Sequence, residues 1–461
     1  MTVIELVARY VAETRFEDIP EQTVEKQKDL LIDTLGVAVA GSRGAGVAEV
    51  VDFLKDMGGK KEARLWVYGG ELPALHAAMA NSLMTHAPDF DDTHEIAGVH
   101  ANVCVIPAAI AVAEKVGGID GRALLTAIII GVDLICRLGV SIPIFTGWHA
   151  TATFGIFGAA AAAAKLIGLD ETGVADALGI AYSQASGTRQ ARLEGTLSKR
   201  LQPALAVKNG VLSALLSERG MTGPHQVLEG DWGMLRLYTG PLYAEQDQAI
   251  AKRLTQDLGK TFHGDGLSVK PYPCCKATHT AISGVLQLMD ENHLAAEQIE
   301  KVEVFVSPGC YQTVGRPFVI KANPQVDAQF SIPYTVATAI LTGNVGLEDF
   351  VETKIREPRR AKLAENVIVS VDAGLEEPSS NVVNLTSRIA IHAGGKTYRC
   401  RSLVAKGHPE HPMDRTEVTH KFEACLKFGA GNIYEKRKEI SAVLVNLESL
   451  KDVRMLTEAL C

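Results

Sequence analysis

Residues 86–100 read HAPDFDDTHEIAGVH, and helical apolar patterns flank them, Pro73 to Leu83 before and Val105 to Val116 after. The stretch gathers three aspartates (Asp89, Asp91, Asp92), Glu95, three histidines (His86, His94, His100) and the hydroxyl of Thr93 at a turn between two buried helices. Carboxylates and imidazoles held against a low-dielectric interior must pair, bind a ligand or change protonation, so the cluster is a candidate for acid–base chemistry. The plainer alternative is a solvated loop that supplies helix caps.

Outward from this stretch the pattern stays helical. Ile19 to Val39 opens with Pro20-Glu21, suited to a first turn, and Arg122 to Leu138, Gly155 to Leu166, Thr172 to Gln184 and Ala204 to Glu218 follow, separated by Gly-rich or polar breaks. Six alanines, Ala159 to Ala164, mark a helix face that neighbouring backbones can approach closely. After about residue 266 the texture changes. Lys301 to Ser307 (KVEVFVS), Asn366 to Val371 (NVIVSV) and two short runs about Gly394-Gly395 read as strands, with helices over Thr280 to Met289 and Tyr334 to Leu341 between them. From Arg415 to Leu460 the helical pattern returns. The expected fold is therefore mainly α: a large all-helical domain built from both chain ends (1–265 and 407–461), with an inserted smaller α+β lid domain at 266–406.

Composition narrows the function. In 461 residues a net charge of −8 argues against a nucleic-acid binder or a polybasic membrane protein, so an anionic ligand would need a basic cluster of its own. The apolar runs Val103 to Ala113 and Ala123 to Ile135 are short for a bilayer span and read as buried helices. Eight cysteines without zinc or disulfide spacing, and an N-terminus interrupted by Glu5, Arg9 and Glu13, fit a reducing, cytoplasmic setting.

Four further stretches carry chemistry-bearing side chains. Gly147-Trp148-His149 puts a histidine near a helix start. EGTLSKRLQPALAVK, residues 194–208, brings Lys199, Arg200 and Lys208 together. KPYPCCKATH, residues 270–279, holds Lys270, the Cys274-Cys275 pair and His279 on a proline-stiffened turn ahead of a helix. DAQFSIPY, residues 327–334, places Tyr334 just past a proline. The adjacent cysteines would make a poor metal site and a strained disulfide.

With HAPDFDDTH, GWH, GTLSKRLQ followed by AVKNG, KPYPCC with TH, and FSIPY in this order, the chain resembles the MmgE/PrpD family over nearly its whole length. The family includes 2-methylcitrate dehydratase, cis-aconitate decarboxylase and iminodisuccinate epimerase. The resemblance implies a homodimer that needs neither metal nor organic cofactor and acts on a small anionic carboxylate. It implies catalytic roles for Asp89, His100, His149 and Tyr334, and substrate-binding roles for Thr93, Lys199, Lys270 and His279. Lysines would anchor carboxylates while a histidine, of ordinary pKa ~6.5, moves a proton at the carbon α to one of them. Ala101-Asn102 replaces the Pro-Ser of many relatives, and Gln202 stands where a histidine is common, which bears on which carboxylate is held. The expected reaction is the loss of water, as in 2-methylcitrate dehydratase, with decarboxylation or epimerisation as alternatives on the same scaffold. Two remoter readings are a magnesium-dependent prenyl-transfer enzyme, from the acidic run Asp91-Asp92-Thr93-His94-Glu95, and a non-enzymatic helical scaffold.

Overall fold

In the computed structural model, which describes residues 1–144, 147–239, 247–375 and 383–461, the helical body is assembled by backbone-to-backbone contact at small residues. Its main helices are α1 (Glu21–Gly41), α2 (Ala74–His86), α3 (Asn102–Val116), α4 (Gly121–Ser141), α5 (Ala150–Ile167) and α6 (Ser198–Glu218). Helix α5 lies at the centre, and all of Ala159 to Ala164 are fully buried. A Cβ on Gly131 of α4 would lie 2.7 Å from the Gly158 carbonyl of α5, and one on Gly210 of α6 would lie 2.7 Å from the Ile156 carbonyl. The alanine and glycine run thus lets α5 pack closely on both sides. Helix α4, at 21 residues, runs longer than its sequence pattern suggests; α4 and α5 are long and apolar enough to cross a bilayer, but 83% and 89% of their apolar windows are buried within the protein.

Helix boundaries follow local chemistry. Pro20 and Pro73 stand immediately before α1 and α2, and the Asp120 side chain caps α4 by accepting from the Ala123 N–H at 2.8 Å. Helix α3 begins three residues earlier than its periodicity predicts, because the Asp92 carboxylate caps it, accepting from the Ala101 and Asn102 N–H groups at 3.0 and 3.2 Å. Pro107, inside α3, has no N–H for the Val103 carbonyl, and the Ser82 hydroxyl of α2 donates to it instead at 2.8 Å.

The α+β part contains α7 (His279–Glu291), α8 (Ile332–Thr342) and a four-stranded sheet. Strands β3 (Ile299–Val306), β4 (Val367–Val371), β5 (Ser387–Ala393) and β6 (Lys396–Ser402) lie in the order β4-β3-β5-β6, with β3 and β4 parallel and the other pairs antiparallel. Val302, Val304 and Val306 alternate inward along β3, and Gly394-Gly395 close the β5–β6 hairpin with φ of +56° and +71°. Helices α7 and α8 pack on each other and on this sheet.

Two apolar cores dominate, with smaller clusters beside them. The larger draws on Val3 to Val269 and again on Val418 to Leu460, while a second runs from Ala277 to Ala393. Leu267 and Val269 belong to the helical core, so the chain leaves that body slightly later than the texture change near residue 266 suggests. Outgoing and returning strands touch where the Val269 N–H donates to the Gly407 carbonyl at 3.1 Å. The tail then returns to the body through α9 (Arg415–Gly429), which packs on α1 so closely that a Cβ on Gly429 would lie 2.0 Å from the Val39 carbonyl.

Lys421 of α9 ties three segments together: its ammonium lies 2.6 Å from Asp33 of α1, donates to the Phe90 carbonyl at 2.8 Å, and stands over the Phe90 ring. Both charges are almost fully buried, so removing one strands the other. Lys421→Met should lower the unfolding free energy by about 3 kcal/mol, with part regained by adding Asp33→Asn. Denaturant unfolding reads both effects, and an unchanged midpoint in Lys421→Met would refute the assignment.

Candidate active site

Six of the eight side chains singled out in the sequence line one cavity. Asp89 follows α2 in a tight turn, Thr93 lies on the short strand β1 (Thr93–His94), His100 precedes α3, His149 is the cap residue of α5, Lys199 is in the first turn of α6, and Lys270 leaves strand β2 (Leu267–Ser268). Strands β1 and β2 pair antiparallel, Thr93 opposite Ser268 and His94 opposite Leu267, which brings the acidic turn against the segment entering the α+β part.

Asp89 is the electrostatic centre. Its Oδ1 accepts from Lys270 at 2.5 Å and its Oδ2 from Lys199 at 3.0 Å, while its carbonyl also accepts from Lys270 at 3.0 Å. Burial works to raise this carboxyl, but the two ammoniums outweigh it and hold the group well below the usual carboxylate range. Burial likewise works against the Lys270 charge, and Asp89 with Asp91 overcomes it, so Lys270 is raised and stays cationic. Asp89 is therefore committed to two cations and poorly placed to exchange a proton.

The histidines are placed otherwise. Lys199 also donates to His86 Nε2 at 2.9 Å, which puts the ring hydrogen of His86 on Nδ1, donating to Asp91 at 2.8 Å. His100 Nδ1 is 2.6 Å from the Asp92 carbonyl, an acceptor only, so it carries the hydrogen and leaves Nε2 as the open lone pair. Gln202 donates its amide N–H to the Thr188 carbonyl at 3.0 Å, which turns its oxygen to His149 Nδ1 at 2.7 Å and leaves the second imidazole with an open Nε2 as well. Burial pushes His100 down to about 3 and, with the Lys199 charge beside it, holds His149 well below its ordinary value. Both are neutral bases near pH 7.

His86, Asp91 and His100 offer ligand atoms within 4.8 Å of one another, the geometry of a possible metal group. The hydrogen-bond directions give both Nδ1 atoms a proton facing Asp91 or the Asp92 carbonyl, so the lone pairs a metal would use point elsewhere. The donor set fits a carboxylate bridging two N–H groups better than it fits an ion. Asp92, beyond it, is pushed up to about 7 by burial and then by Asp91, and serves as the cap of α3.

Two expected site residues lie elsewhere. Tyr334 is fully buried in the α+β part against Phe318 and Phe350, its hydroxyl donating to the Asp349 carbonyl and accepting from Arg360 at 3.1 Å. Its position near the start of α8 turns it into that core and away from the cavity. His279, also fully buried, donates Nε2–H to the Cys274 carbonyl at 3.2 Å and packs on Tyr272, because the turn through Pro271 and Pro273 folds its ring underneath. The cavity wall also holds Lys276, part of the KPYPCCKATH turn but given no role from the sequence, with Glu95 3.2 Å from it, and two residues that the sequence reading left out, Arg189 and Arg192. Arg189 is the cap residue of a four-residue helix, Gln190–Leu193, and Arg192 lies within it, in a segment without periodicity, so only a weak signal, two arginines three apart beside the SKR run, marked them.

For His100 the folded pKa of about 3 lies below the unfolded value of about 6.5, so between those limits the unfolded chain binds a proton that the folded site rejects. Stability contributed by this site accordingly rises with pH across that window. His100→Gln should flatten the dependence of Tm on pH between about pH 5 and 6.5, and ¹⁵N spectra of the wild type should show His100 as the neutral Nδ1–H tautomer at pH 7. A His100 resonance that titrates near 6.5, or a variant with the wild-type slope, would overturn this.

Comparison with known proteins bears on the whole chain. Residues 5–246 match the MmgE/PrpD N-terminal domain and residues 272–447 the MmgE/PrpD C-terminal domain. A cis-aconitate decarboxylase of Aspergillus terreus is 27% identical over 479 aligned residues, covering 98% of this chain and 95% of its own. Those of Homo sapiens and Mus musculus are each 26% identical, with 96% and 100% of this chain covered and 91% and 93% of theirs.

Proposed function

The chain belongs to the MmgE/PrpD family, and from that premise we propose that it is a lyase of small polycarboxylates, acting by decarboxylation in the manner of its named relatives. The sequence alone leaned to dehydration; the relatives favour the decarboxylase alternative. One observation carries the reading most of the way. Among the described residues Lys199, Lys270, Lys276, Arg189 and Arg192 face only Asp89 and Glu95 as formal negative charges on the cavity wall, an excess of three positive charges in a chain whose net charge is −8. A di- or tricarboxylate is the small-molecule class that this excess suits.

Decarboxylation of an unsaturated tricarboxylate breaks an allylic C–CO₂ bond: CO₂ leaves, the electrons of that bond form a new double bond to the neighbouring carbon, and the original π pair shifts to its far carbon. That carbon, α to a remaining carboxylate, then takes up a proton. The cations hold the carboxylates that stay and stabilise the charge that develops on them. The proton comes from an imidazole, and here the depressed histidines matter. A bound trianion adds negative charge beside His100 and His149 and raises their pKa, so loading the site recruits the proton that the empty site rejects. Dehydration or epimerisation would use the same open Nε2 atoms in the opposite sense, as bases that remove the α proton.

Incubation in D₂O with cis-aconitate, 2-methylcitrate, citrate and iminodisuccinate, followed by NMR, separates these chemistries. The expected result is CO₂ release from cis-aconitate with one deuterium gained per product, unaffected by EDTA. Loss of water from 2-methylcitrate with cis-aconitate untouched would overturn decarboxylation, and activity restored only by a divalent metal would overturn the acid–base reading. Lys199→Ala and Lys270→Ala should chiefly raise KM, whereas His100→Gln should lower kcat by ~10²–10⁴-fold.

A further inference from the structure

The cavity's cations fall into two groups, and only one of them is occupied. Lys199 and Lys270 share Asp89, Lys199 donates to His86 as well, and Lys276 pairs with Glu95. On the opposite account stand Arg189 and Arg192, at the start and in the last turn of the short helix Gln190–Leu193. Neither guanidinium has a hydrogen bond or ion pair among the described residues, although both line the cavity and are only partly exposed. Burial, and then the charge of Arg192, lowers the pKa of Arg189, the mark of two cations close enough to repel. Like charges held together without a counter-ion are a standing cost unless an anion enters between them.

The segment carrying them is fastened to the catalytic side. The Arg189 N–H donates to the Gly147 carbonyl at 2.9 Å, the His149 N–H to the Gly187 carbonyl at 3.0 Å, and Trp148 and Thr188 form a β-bridge. Gln202, which sets the tautomer of His149, hangs from the Thr188 carbonyl next to Arg189. Gly187, at φ +112°, permits this approach, since a Cβ there would lie 2.8 Å from Ala152 and 3.2 Å from the Gln202 oxygen. The arginines therefore stand in fixed register with the open Nε2 of His149.

We propose that Arg189 and Arg192 form a clamp for one carboxylate of the substrate beyond the two that the lysines hold, so that a third carboxylate is recognised by this pair and not by the lysines. This rests on the polycarboxylate reading above and adds to it the element that selects three carboxylates over two. A guanidinium fork meets a carboxylate with two parallel hydrogen bonds, which a lysine cannot reproduce.

The test is equilibrium binding by calorimetry of two unreactive ligands, propane-1,2,3-tricarboxylate and glutarate, to the wild type, to Arg189→Gln, Arg192→Gln and the double variant, and to Arg189→Lys/Arg192→Lys. With the clamp, the double glutamine variant binds the tricarboxylate ~30–100-fold more weakly and glutarate less than about threefold more weakly, and the double lysine variant recovers only part of the loss. Should the double variant fail to fold, the single variants divide the loss between them. Equal weakening of both ligands would reduce the pair to general electrostatics and overturn the clamp, as would wild-type affinity in the variants or full recovery by lysine. A wild type that binds neither ligand would instead overturn the polycarboxylate reading, a result distinct from failure of the clamp alone.

Discussion

Everything in the cavity depends on one buried carboxylate, Asp89, shared between two lysines from distant parts of the chain. It sits in the left-handed region at φ +51°, a conformation that aspartate tolerates better than most residues but that the chain does not choose unaided. Lys270 holds both its carbonyl and its carboxylate, which fixes the main chain and side chain of the same residue at once. Because Lys270 stands two residues past β2, which pairs with β1, the ion pair and the two-residue ribbon act as one stitch between the acidic turn and the segment entering the α+β part. Lys199 adds the third wall from α6. A buried carboxylate with a single lysine would have been costly; with two it is a net cation, and that surplus is what the site offers a ligand.

The imidazoles complement this arrangement. Each has its Nδ1 hydrogen fixed by a neighbour that can only accept, the Asp92 carbonyl for His100 and the Gln202 oxygen for His149. Fixing the tautomer by a hydrogen bond at the far nitrogen is how a protein keeps a histidine from turning its proton toward the ligand. His86 does not line the cavity wall but relays Lys199 to Asp91, so it orients charges without touching the ligand space.

How much of this could be read from the sequence follows from what each signal depends on. Prolines at Pro20 and Pro73 are local signals, and they placed helix starts well. The start of α3 was missed because its cap, Asp92, lies in the acidic turn and reaches its N-terminus only through the fold. Six cavity residues were legible because their motifs are distinctive, whereas Tyr334 and His279 shared those motifs but point into packed interiors, a matter of helix rotation that residue order does not encode. Arg189 and Arg192 were passed over for the converse reason. Their segment has no periodicity, and their importance lies in an absence of described partners that only three dimensions reveal.

The same logic explains how one scaffold can serve chemistries as different as loss of CO₂, loss of water and inversion of a stereocentre. All three pass through negative charge at a carbon α to a carboxylate, and the cation surplus stabilises that charge whatever group departs. On the polycarboxylate reading, one difference among them is the protonation of two imidazoles, which is coupled to the ligand itself. In the empty cavity burial keeps His100 and His149 neutral, ready to remove a proton; a ligand carrying more negative charge shifts them toward the protonated form, ready to supply one. A substrate that arrives with three carboxylates and an existing double bond thus prepares the site for proton delivery, whereas a dianion with an acidic C–H leaves it closer to its resting, basic state. On this view the charge of the ligand, read by the cations of the wall, helps to set the direction in which the proton moves.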